Sequence, residues 1–121
     1  MHENAPLLIL VRDLLFQSRI TAAAKAANYP YEVVRDPTML GERPARLVIA
    51  DLNQPGMIPA LGAWIASTAG QAVGFVSHVD TETISQARAA GIQKILPRSA
   101  FVTQLSQIVQ GLAAQERSEA E

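Results

Sequence analysis

Four polar clusters interrupt apolar segments of this chain: Arg12 with Asp13, Asp51 with Asn53 close behind, Ser77 with His78, and Arg98. Asp51 directly follows the run RLVIA and precedes NQPG, so a carboxylate ends an apolar stretch and a turn begins behind it. A charge at such a point is a candidate site, against the plainer alternative of a loop carboxylate satisfied by backbone donors. Asp13 is either a second site carboxylate or a cap for a helix starting at Leu14. Arg12 is either solvated or paired with Asp51 or Asp13, and Arg98 has the planar fork to hold Asp51 directly. His78 could titrate near neutral pH or contact an anion. One histidine with aspartates lacks the ligand set of a zinc site, so a polar loop histidine is the plainer role.

Catalytic arrangements are thin. Ser77 and His78 are adjacent on a strand end, where a nucleophile and its base rarely face each other, and no G-x-S-x-G turn is present. The glycines fit neither a P-loop nor a G-x-G-x-x-G fingerprint.

The elements that must position these residues follow from periodicity. Leu7 to Val11, Tyr31 to Arg35, Arg46 to Asp51, Ala72 to Ser77 and Lys94 to Leu96 are short apolar runs that read as strands. Between them, Leu14 to Ala27 is helical, with Leu15, Ala22 and Ala26 spaced to share a face. Asn28 and Pro30 close that helix. Asp36 to Pro44 leaves room for one or two turns at most, with Pro37 at the start. Ile58 to Thr68 forms the next helix, with Leu61, Trp64 and Ile65 on one side. Asp80 caps another that runs to Ala90 and ends at a left-handed Gly91. Phe101, Leu105, Ile108, Val109 and Leu112 mark a final amphipathic helix dissolving into the polar tail QERSEAE. Trp64 and Phe101, at helical spacing with aliphatics, are core. Five strands alternating with helices predict an α/β fold with one parallel sheet covered on both faces. Ligands of such sheets gather at the carboxyl ends of the strands, where all four polar clusters fall.

A chain of 121 residues is one domain by length and buries about two thirds of its unfolded surface. The domain is expected over 1–114, with 115–121 as a polar C-terminal tail. Without cysteine there is no disulfide, thiolate metal site or cysteine nucleophile, which suits a reducing, cytoplasmic setting. With 10 Lys and Arg against 11 Asp and Glu, the net charge of −1 gives no basic field for nucleic acid or anionic lipid. The first apolar run is too short to cross a bilayer and lacks a secretion leader.

On these residues the sequence resembles the receiver domain of bacterial response regulators, over nearly its whole length. LVIADLNQPGM, Leu47 to Met57, is similar to that family's phosphoacceptor segment, an aspartate followed by proline at the fourth place and glycine next. AAGIQKILPRSAF, Ala89 to Phe101, is similar to its fifth-strand segment, and Ser77 matches the small hydroxyl residue ending strand four. The resemblance implies a flavodoxin-like doubly wound sheet, order 2-1-3-4-5. It also makes Asp51 the phosphoacceptor-like residue, and Asp13 and Asn53 remnants of the metal positions.

Three positions depart from the family pattern. Arg12 stands where receivers carry the first of two adjacent acids that hold Mg²⁺, Arg98 where they carry lysine, and Ile95 where they carry the aromatic ring of their switch. Two inward arginines would cancel the charge of Asp13 and Asp51. A dication about 5 Å from one guanidinium would be repelled by roughly 7 kcal/mol at an effective dielectric of about 20, before relaxation and screening.

The leading expectation is therefore a stand-alone, non-enzymatic, atypical receiver-like module without a cofactor. It would act on a signalling protein, a histidine kinase or downstream effector, with its docking face over roughly Ile84 to Leu112. That face comprises the family's fourth helix, fifth strand and fifth helix and could also serve a homodimer. The alternative is a working receiver phosphorylated on Asp51 in a two-component phosphorelay with Mg²⁺. A third reading, from another class, is a small-anion binder using His78 and Arg98.

Overall fold

The computed structural model describes residues 5–77 and 80–120. Five strands, β1 (Leu7–Leu10), β2 (Tyr31–Val33), β3 (Leu47–Asp51), β4 (Ala72–Val76) and β5 (Lys94–Pro97), form one parallel sheet in the order β2-β1-β3-β4-β5. The crossovers carry α1 (Leu14–Ala26), a 3-10 turn (Pro37–Met39), α2 (Met57–Thr68) and α3 (Thr81–Ala89), and α4 (Arg98–Ala120) follows β5. This is the flavodoxin-like arrangement expected from the sequence.

Alternation along the strands divides the interior in two. Leu7, Ile9 and Val11 face one layer with α1 and α4, joined there by Phe75 from β4. Leu8 and Leu10 face the other, where α2 supplies Met57, Leu61 and Trp64, and α3 supplies Ala87. Burying side chains of this size is worth about 1.5–3 kcal/mol each, so both layers are needed to offset the entropy of ordering the chain.

Local signals in the sequence set the element ends. The Asp80 carboxylate accepts from the N–H groups of Glu82 and Thr83 and starts α3. Asp36 does the same for the 3-10 turn through Thr38. Asn28 and Gly91 take the left-handed conformation, at φ 55° and 94°. The left-handed residue after α2 is Ala69, and Gly70 serves close packing instead, since a Cβ there would lie 2.2 Å from the Trp64 ring. Trp64 is fully buried, and its indole N–H donates to the Arg43 carbonyl at 2.8 Å.

Two expectations need correction. The face of α1 that packs is Phe16, Ile20 and Ala24, while Leu15, Ala22 and Ala26 are exposed. Both triplets sit at helical spacing, and the one carrying phenylalanine and isoleucine gains more from burial. The last helix does not dissolve after Leu112. It continues as α4 to Ala120, through a segment of residues that are mostly good helix formers.

Candidate functional site

The carboxyl ends of β1, β3, β4 and β5 bring Asp13, Asp51, Ser77 and Arg98 to one edge of the sheet. His78 lies outside the described residues. The edge has two unlike corners, one where the starts of α1 and α4 meet and one at the ends of β3 and β4.

At the first corner Asp13 is committed twice. One carboxylate oxygen accepts from the Phe16 N–H at 3.1 Å and caps α1. The other accepts from Arg98 Nη2 at 2.8 Å, across 85 residues of chain. Hydrogen bonding to the Phe16 N–H, followed by that to Arg98, holds the Asp13 carboxyl below the ordinary aspartate value of 3.8. Both charged side chains remain about half exposed, so the pair fixes direction more than it stabilises.

Aromatic packing fixes the other side of Arg98. Its guanidinium carbon lies 4.2 Å from the centroid of the Phe16 ring and 6.0 Å from that of Phe75. Phe16 from α1, Phe75 from β4 and Phe101 from α4 form a contiguous trio, with centroids 4.6 to 5.7 Å apart. The site arginine therefore rests on a shelf built by three elements.

At the second corner Asp51 is half-buried and accepts from the Asn53 N–H at 2.9 Å. The Asn53 side-chain oxygen in turn accepts from the Ser77 N–H at 2.6 Å. Asn53 thus ties the loop behind β3 to the end of β4. Among the described residues no cation pairs with Asp51.

Among the described residues neither arginine holds Asp51, and of the alternatives open for Arg12 the structure fits the solvated one. Arg98 is turned to Asp13, where the phenylalanine shelf receives it. Arg12 lies beyond the end of β1 and joins neither carboxylate. It is exposed and lines a separate cleft with Leu14, Gln17, Val33 and Arg35. There it helps lower the Asp36 carboxyl, after the larger effects of the Thr38 N–H and hydroxyl. No ion pair joins Arg12 to Asp13 or Asp51 among the described residues. Two carboxylates against one guanidinium leave the described edge with one negative charge, not the neutral site that two inward arginines would make.

Sequence reasoning missed the roles of Phe16 and Phe75. Their signal was present only as apolar character, and nothing local ties Phe16 to a position some eighty residues later. Among the described residues no three His, Cys, Asp or Glu side chains group so as to hold a metal ion. No helix of the described residues is long and apolar enough to cross a membrane.

No protein-family model matches this sequence, and no curated protein is similar to it in sequence. Solved structures are similar in fold. A CheY-like response regulator receiver domain protein from Methanospirillum hungatei JF-1 superposes with a TM-score of 0.77 at 12% identity, over 95% of this chain and 98% of that one. The BeF3-activated receiver domain of DrrB gives 0.75 at 10% identity, over 91% and 97%. The phosphorylated cyanobacterial phytochrome response regulator RcpA gives 0.70 at 18% identity, over 97% and 96%. With the strand order β2-β1-β3-β4-β5 and its helical layers, the chain has the fold of the CheY-like response regulator receiver domain.

Proposed function

We propose that this chain is an atypical receiver-like signalling module that works by binding another protein, without Mg²⁺-dependent phosphorylation of Asp51. The observation that carries the reading is the double engagement of Asp13. A hard dication at this corner calls for a set of carboxylate and carbonyl oxygens. Here one Asp13 oxygen caps α1, the other holds Arg98, and the neighbouring position is an arginine pointing elsewhere. That donor set does not fit the ion, and phosphoryl transfer to a carboxylate depends on neutralising the crowded oxygens.

The partner is a kinase or effector of a signalling pathway, in a cytoplasmic setting, and the face of α3, β5 and α4 is the surface offered to it. A second reading, a working receiver, draws support from Asp51 itself. Its half-buried carboxylate at the end of β3 is not closed off by either arginine.

One titration separates the two. BeF3⁻ with Mg²⁺ is added to isotopically labelled protein and followed by NMR. The amides around Asp51, Ser77 and Arg98 are expected to stay in place. Saturable shifts that disappear in Asp51→Ala would establish the working receiver instead.

A further inference from the structure

A cleft of about 810 Å³ opens between α1 and α4 beside the first corner. Phe16, Pro97 and Val102 form its apolar wall, and Leu15, 82% exposed, stands at its edge. Arg19 and Arg98 supply its charge. A space of this size with apolar walls and a few convergent polar groups is what small-molecule sites share.

The charges give the ligand its sign. Asp13 also lines the cleft, but both its oxygens are already engaged, and against two guanidiniums the lining stays positive by one charge. Arg19 forms no ion pair among the described residues, and Arg98 spends one nitrogen on Asp13. The remaining Arg98 N–H groups bond to no described residue, and the guanidinium is seated between the Asp13 oxygen at 2.8 Å and the Phe16 ring at 4.2 Å. A planar donor seated in this way suits a carboxylate, which it can meet with two parallel N–H groups. Leu15 leaves apolar surface in water that a ligand could cover.

We propose that the cleft between α1 and α4 binds a small organic acid with an apolar body, its carboxylate held by Arg98 and Arg19 and its body laid against Leu15, Phe16, Pro97 and Val102. The site is independent of whether Asp51 accepts a phosphoryl group.

The test uses octanoate as probe, with acetate and 1-octanol as the charge-only and chain-only controls, all without Mg²⁺ or BeF3⁻. Octanoate should give saturable NMR shifts at the amides of Leu15, Arg19, Ser99 and Val102, with affinity at least about tenfold above either control. Arg19→Gln, at an exposed position, should weaken binding by about threefold to tenfold, and Val102→Trp should fill the cleft and abolish it. Asp51→Asn should leave it unchanged. The proposal is overturned by an absence of saturation, by shifts elsewhere on the chain, by either control binding as well as octanoate, or by undiminished binding in Arg19→Gln.

Discussion

Asp13, in the turn behind β1, and Asp51, at the end of the neighbouring β3, meet different fates. Asp13 caps α1 and is paired with Arg98, which is itself backed by rings, whereas Asp51 touches a backbone N–H and faces no described cation. The strand that precedes each carboxylate does not produce the difference. It comes from α4, whose first residue is Arg98, and from the phenylalanines that give that arginine one resting place. A site position is thus decided by what packs beneath the side chain opposite.

The largest way to break this contrast is to remove the shelf. Phe75→Ala should cost about 3–5 kcal/mol in urea unfolding, because the ring is buried between Phe16 and Phe101 and its space cannot refill. A loss below about 1 kcal/mol would mean that the trio does not support the corner. Next, Asp13→Ala removes a helix cap and an ion pair together and should lower the thermal midpoint by several degrees, more than any substitution of Asp51.

Acid sharpens the comparison. The folded-state carboxyl of Asp13 sits below its ordinary value, so its stabilising contribution is complete above the unfolded value and fades as pH falls through the folded one. The stability gap between wild type and Asp13→Ala should therefore be widest near neutrality and close on acidification, as read from urea midpoints along a pH series. A gap constant down to strongly acidic pH would contradict the bonding described for Asp13. Smaller still, Asp51→Asn keeps an oxygen for the Asn53 N–H and should shift stability by no more than about 1 kcal/mol. Arg12→Ala, at an exposed position, should stay within about 0.5 kcal/mol of wild type.

The sequence carried the scaffold well because its signals are local. Short apolar runs, the caps at Asp80 and Asp36, and the left-handed Asn28 and Gly91 each depend on near neighbours. The candidate site was legible only in its membership. Asp13, Asp51, Ser77 and Arg98 do meet at one edge, but which arginine holds which aspartate depends on a contact spanning 85 residues. The direction of Arg12 and the choice of Phe16 over Leu15 as the buried residue of α1 were equally open. Two competing triplets share the helical period, and only the opposite layer selects between them.

The single tryptophan gives the molecule a built-in reporter with a restricted view. Trp64 is sealed in the α2 layer against Gly70 and Arg43, on the side of the sheet away from the phenylalanine trio. Its emission will track the opening of that layer while remaining blind to events around Arg98. Fluorescence can therefore follow the α2 half of the protein separately from the half that holds Arg98.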